Sequence, residues 1–198
     1  LSLHDALPIF KAAEAKDCQV ITAAMLGHKA DICFMALCAD WRTLRSLQTA
    51  LRRAGIDVVD SYVSITEVSE YAKGMPAEML RGRLHPIIPP EGLNAFCFYP
   101  MSKKREAHAN WYSTSYDRRQ EMMMEHGSSG RKFAGKVAQV ISGSTGLDDF
   151  EWGVTLFAKS PDVIKEVVYT MRFDEGSALY GEFGAFYVGY LEAIENII

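Results

Sequence analysis

The chain has 198 residues, 48% of them hydrophobic and 23% charged, the balance of a water-soluble globular protein with one or two compact domains. A net charge of −4 argues against a nucleic-acid partner and against attraction to an anionic membrane, so an anionic ligand has to meet a local basic patch. No stretch reads as apolar for long enough to span a bilayer, and the amino end lacks the basic start of a secretory signal, so the expected address is the cytoplasm. Cys18, Cys33, Cys38 and Cys97 form no CxxC pair and lie among apolar residues, the pattern of buried thiols in a reducing compartment.

In chain order, residue 1 is Leu and the segment 1–10 reads as a truncated or artificial start. Two β-rich runs follow, 17–24 and 31–38, turned by Gly27 and His28. Asp40 can cap a helix whose Trp41, Leu44, Leu47 and Leu51 share one face, and Gly55 ends it. Residues 57–65 alternate like a further strand. Pro and Gly punctuate 74–92, a linker with a short helical piece at 77–84.

The second half opens with a strand at 94–101 and a polar loop at 102–110. A helix at 116–126 carries three consecutive methionines and stops at Gly127, before a second helical segment around Gly130. Strands at 137–141 and 151–159, a helix at 161–171 capped by Ser160, and a Gly-rich strand near 181–190 repeat the order β-β-α-β. Each half thus reads as a ferredoxin-like unit of an α+β protein, with helices on one face of an antiparallel sheet. The expected domains are a partial amino-terminal unit at 11–73, a linker at 74–93 and a carboxyl-terminal unit at 94–198.

Three groups of residues could carry chemistry. The strand around Phe98 has a period of two, so Tyr99, Met101 and Lys103 share a side. A core face rarely collects a lysine, and Pro100 marks a strand end or edge, so this side either opens on a cleft or is a surface strand end. His126 follows Met122 and Met123 by one turn: such an imidazole suits a heme iron, while a histidine at a helix carboxyl end is equally accounted for by the helix dipole. Arg81, Arg83, Lys103, Lys104 and Arg105 form either a site for a polycarboxylate or phosphate, or a solvated basic loop. No zinc spacing, phosphate loop or dinucleotide fingerprint is visible, and the glycines of 143–146 read as a turn.

Longer words are more specific. Residues 98–105 (FYPMSKKR), 110–112 (NWY), 125–127 with Gly130 and Arg131, 143–154 (GSTGLDDFEWGV) and 171–178 (MRFDEGSA) resemble the coproheme decarboxylases of the chlorite-dismutase-like family, over most of the chain from about Cys18 on. The resemblance implies a dimeric α+β barrel of two fused ferredoxin-like units, with the first strand and helix of the first unit missing, assembled as a homopentamer. It implies that iron-coproporphyrin III (coproheme), at once substrate and redox cofactor, is converted to heme b with hydrogen peroxide. By the same resemblance His126 is the proximal iron ligand and Tyr99 the residue oxidised to a radical. Lys103 and Arg83 hold propionates with Ser177 assisting, Met101 lines the pocket and Tyr62 is a further propionate contact. Gln139 matches the distal position where chlorite-degrading relatives carry arginine, an amide with no fixed charge, which favours decarboxylation over chlorite dismutation or simple peroxidation. A heme-binding module without turnover is the non-enzymatic alternative. His85, beside Arg83, reads as an ordinary loop residue rather than the distal histidine of one family branch.

Overall fold

The computed structural model describes residues 3–72 and 74–197. Two compact units emerge, and they are not consecutive halves: Leu1–Ser61, Ile87–Pro89 and Val188–Ile198 form the first, Tyr62–Pro86 and Pro90–Tyr187 the second.

In the first unit, helix α1 (Leu3–Glu14) leads to antiparallel strands β1 (Gln19–Met25) and β2 (Ile32–Leu37), then helix α2 (Trp41–Arg53). The segment before Phe10, with no cap evident in its sequence, is therefore helical at its centre. Strand β1 lies between β2 and the chain's last strand, β10 (Tyr187–Leu191), which it pairs from Ala23↔Leu191 to Met25↔Gly189. Asp40 caps α2 as expected, its carboxylate accepting the Arg42 N–H at 3.1 Å, and Gly55 follows with a left-handed φ of 92°. Leu47 and Leu51 pack with Ala13 and Cys18 into a small core. Trp41, assigned to the same face from spacing, is 52% exposed, because the first residue of the helix lies beyond the reach of that core.

The second unit adds strands β3 (Ile65–Thr66), β4 (Ala95–Lys103), β7 (Val137–Gly143), β8 (Trp152–Ala158) and β9 (Gly181–Phe183), with the short hairpin β5 (Arg105–Glu106) and β6 (Ala109–Asn110) in the segment read as a polar loop. Its sheet runs β4-β8-β7-β3, all antiparallel, and β9 pairs β4 beyond β8. Helices α3 (Ala77–Leu84), α4 (Tyr116–Arg131), α5 (Pro161–Met171) and the single turn α6 (Glu175–Ala178) complete it. Helix α5 packs Ile164 and Val167 on Ala95, Cys97, Tyr99, Leu156 and Ala158, a core that also takes in Phe133. Ser160 precedes α5 but makes no side-chain cap bond.

Three further expectations change. Residues 57–64 are not a strand: the Val63 N–H goes to the Asp148 carboxylate at 2.8 Å and Ser64 pairs side chain to side chain with Ser142, so only Ile65 and Thr66 enter the ladder with β7. Helix α4 does not stop at Gly127, because Ser129 bonds Asp174 and Gly130 packs toward Met171, contacts that outweigh glycine's weak helix preference. The left-handed glycine comes instead at Gly135, φ 75°. Pro100 is interior to β4: it turns its carbonyl to the Gly184 N–H at 2.9 Å, past the end of the β9 ladder, so its missing N–H breaks no bond to β8.

Leu156, 3% exposed between α5 and the sheet, should report the core. Leu156→Ala is expected to destabilise the protein by about 2–5 kcal/mol, whereas exposed Trp41→Ala should change stability by about 0.5 kcal/mol or less. Urea denaturation of both variants checks this.

Candidate functional site

Directly opposed residues of antiparallel strands point to the same face. The registers Tyr99↔Val154 and Met101↔Trp152, with Gln139↔Leu156 in the next strand, place Tyr99, Met101, Lys103 and Gln139 on the face that α5 covers. Tyr99 is 9% exposed and stacks on Phe186 at 4.4 Å between ring centres, with Phe183 tilted against it at 5.9 Å. Burial pushes its phenol well above the ordinary tyrosine range, helped by Cys97 and opposed by Arg172. Gln139, farther along the same face, is exposed.

Lys103 belongs to neither a solvated loop nor an open strand end. Its ammonium is buried, donates to the Gly176 carbonyl at 2.6 Å and lies 4.5 Å from the centre of the Trp111 ring. Burial pulls its pKa down to about 8, against the attraction of Glu151. Glu151 in turn accepts the Lys103 backbone N–H at 2.8 Å.

His126 sits within α4, a turn short of its end, so the helix dipole does not account for it. Its Nδ1 faces the Asp174 carboxylate at 3.1 Å, and the Ser177 hydroxyl stands 3.4 Å from the same nitrogen. Asp174, 4% exposed, also accepts the Ser129 hydroxyl at 2.6 Å. Burial holds the imidazole below the usual histidine range; Lys103 adds to the lowering, while Asp174 and Glu125 oppose it. A neutral ring whose Nδ1–H is taken by a carboxylate keeps its Nε2 lone pair for a metal.

The remaining expected residues lie elsewhere. Arg83 is exposed at the carboxyl end of α3 and makes no hydrogen bond or ion pair among the described residues. His85, the next residue but one, is an exposed helix cap whose N–H bonds the Arg81 carbonyl. Tyr62 packs on Phe98 at 5.2 Å and against Gly153, and its hydroxyl pairs with Ser144. Phe98 and Gly153 belong to the face opposite Tyr99, so the structure does not bring Tyr62 together with Tyr99 and Lys103. Ser177 contacts His126 rather than standing with the cationic groups. Sequence reasoning missed Asp174, Ser129, Glu151 and Phe186, because polar residues of distant segments announce no pairing by spacing.

No group of three or more His, Cys, Asp or Glu among the described residues could enclose a metal ion. An anchored neutral histidine such as His126 therefore suits a metal that brings its own equatorial ligands, as porphyrin nitrogens do.

A family model described as chlorite dismutase matches residues 2–192. The chain belongs to the chlorite dismutase family. The match takes in the residues ahead of Cys18, where the resemblance read from motifs began. Coproheme decarboxylase of Staphylococcus carnosus (strain TM300) is 45% identical over 183 residues, 86% of this chain and 72% of that protein; its counterpart in Staphylococcus saprophyticus is 43% identical over the same shares. A solved heme-binding protein from Thermus thermophilus, 36% identical, superposes with a TM-score of 0.89 over 96% of this chain and 80% of its own. A mutant chlorite dismutase from Candidatus Nitrospira defluvii shares the fold at a TM-score of 0.76 and 17% identity, covering 96% of this chain and 81% of that one. The α+β fold of this family is thus the fold of this chain.

A histidine whose folded pKa lies below 6.5 binds fewer protons folded than unfolded, so this contribution to stability is lost as pH falls from 6.5 through the folded value. In an NMR titration the His126 ring should have its midpoint below 6.5. Asp174→Asn should lower that midpoint further and Lys103→Met should raise it; movement of both variants in the same direction would contradict the electrostatic assignment.

Proposed function

We propose that this protein converts coproheme to heme b by hydrogen-peroxide-dependent oxidative decarboxylation. The observation that carries the reading is Tyr99, an oxidisable phenol buried on the strand face of Lys103, in the unit that holds the carboxylate-anchored His126. The coproheme decarboxylases at 43–45% identity support the substrate.

In this reading His126 holds the iron through Nε2, while Asp174 and Ser177 fix the ring through Nδ1. The iron of bound coproheme, once it has reacted with peroxide, supplies the oxidising power. Tyr99 converts that power into hydrogen abstraction. Burial keeps the phenol protonated, so it loses an electron only as its Oη gives up the proton. The oxygen then takes a hydrogen atom from a propionate β-carbon and is restored as phenol. Each propionate gives up one hydride equivalent and one carbon dioxide and becomes a vinyl group, while one peroxide becomes two waters. Phe183 and Phe186 fix the plane of the Tyr99 ring and keep water from it.

Lys103 and Arg83 supply the positive charge for the propionates, Met101 lines the pocket and Gln139 takes the distal side, whereas Tyr62, on the opposite face of the sheet, has no part in this reading. Family resemblance supports the rest: a cytoplasmic homopentamer of chains built from two fused ferredoxin-like units. No helix among the described residues is long and apolar enough to cross a membrane.

Tyr99→Phe keeps the ring and removes only the hydroxyl, so packing should survive and the loss should be chemical. The variant should bind coproheme with an unchanged spectrum, yet yield neither carbon dioxide nor vinyl product at the wild-type rate after peroxide addition, as read by mass spectrometry of the porphyrin. Undiminished conversion would move the hydrogen abstraction to another residue. Arg83→Ala should weaken coproheme binding about tenfold, the scale of one charge-assisted contact, and heme b binding less. Equal weakening of both in a titration would mean that Arg83 acts by general electrostatics.

A further inference from the structure

We infer that Cys18 and Cys38, which lie opposite each other where β1 and β2 begin and end, form a dithiol that peroxide closes to a disulfide. Neither cysteine belongs to the unit that carries Tyr99 and His126.

The β1-β2 ladder runs from Ala24↔Ile32 to Gln19↔Leu37, and the next step of this register opposes Cys18 to Cys38. The Met25 N–H donates to the Asp31 carbonyl at 2.9 Å in the same register. Hydrogen-bonded and non-hydrogen-bonded pairs alternate along an antiparallel ladder, so residues 18 and 38 fall on a non-hydrogen-bonded pair. Such a pair brings its Cα atoms to about 4.5 Å, within the range of about 4.4–6.8 Å that a disulfide spans. Both side chains turn to one face: Cys18 and Cys38 pack in the small core with Val20, Phe34 and Ala36. Cys38 is the side-chain hydrogen-bond partner of the Cys18 thiol.

The other two thiols are ill placed to compete. Cys33 opposes Ala23, and strand alternation sends both to the other face. Cys97 is buried in β4 of the other unit.

Accessibility sets the order of events. Cys18 is 2% exposed and burial pushes its thiol up to about 12, whereas Cys38 is only half-buried. Cys38 therefore meets the oxidant first. Its sulfur attacks one peroxide oxygen, the O–O bond breaks, and the departing hydroxide takes up a proton as water, leaving a sulfenic acid. The Cys18 sulfur then attacks the Cys38 sulfur; the S–S bond forms, the S–O bond breaks, and hydroxide leaves with the Cys18 proton as a second water. Two thiols are oxidised by two electrons in all, and one peroxide is reduced. The bond joins the α1-β1 junction, where the Cys18 N–H bonds the Ala13 carbonyl, to the residues next to the Asp40 cap of α2. Closure is independent of coproheme, although the proposed reaction makes peroxide its co-substrate.

The test uses the full chain, reduced and free of porphyrin, treated with hydrogen peroxide, denatured, alkylated with iodoacetamide and digested without reductant. Mass spectrometry should find the Cys18 and Cys38 peptides linked, about 2 Da lighter than their sum for the two hydrogens lost, with Cys33 and Cys97 alkylated. Dithiothreitol should restore alkylation at both linked positions. Cys38→Ser should give no linked peptide and leave Cys18 open to alkylation. Separate alkylation of Cys18 and Cys38 in the oxidised wild-type chain, or linkage of either to Cys33 or Cys97, would overturn the inference.

Discussion

Strand β4 is buried along most of both faces, and the site depends on that constraint. Its odd-numbered residues face α5 and its even-numbered residues, Phe96 and Phe98 among them, face the other way. A slip of one residue would exchange Tyr99 and Lys103 for Phe98 and Ser102 and send every side chain to the wrong layer. The β8 ladder from Ala95 to Met101 and the β9 ladder from Met101 to Lys103 pin the register from both sides of the strand. A buried phenol and a buried ammonium can thus sit in fixed places on a strand that also builds the core.

The ionisable groups form one coupled arrangement. A buried carboxylate, Asp174, is satisfied by Ser129 and turned to His126, while Lys103 stands near enough to disfavour a second positive charge on the imidazole. Burial is the main reason the ring stays neutral, Lys103 adds to it, and Asp174 opposes the lowering while anchoring the ring. Lys103 escapes the full penalty of burial through the Gly176 carbonyl and the Trp111 face. Charge and packing at this site cannot be varied separately: Gly176, which accepts from Lys103, also lies against Met122 of α4.

Similarity to known proteins separates fold from chemistry. A structure at 17% identity has the same fold, whereas the coproheme decarboxylases stand at 43–45%. A scaffold of this kind hosts more than one reaction, so the chemistry has to be argued from the side chains placed on it. Tyr99 and Gln139 lie on one face of two different strands.

By itself the sequence determined whatever depends on near neighbours. Alternation in residues 95–103 put Tyr99, Met101 and Lys103 on one face, Asp40 announced the start of α2, Pro161 that of α5, and the ordered motifs announced the family. Tertiary structure decided whatever depends on residues far apart in the chain. It carried α4 through Gly127 because Ser129 found Asp174, and it gave the backbone of 57–64 to side chains instead of a ladder. It also turned Tyr62 to the face away from Tyr99 and buried Lys103, for which the sequence left a cleft and a solvated strand end both open. Periodicity fixes which way a side chain points relative to its own strand or helix, but what it then meets is set by the partner that packs there, and no spacing along the chain encodes that partner.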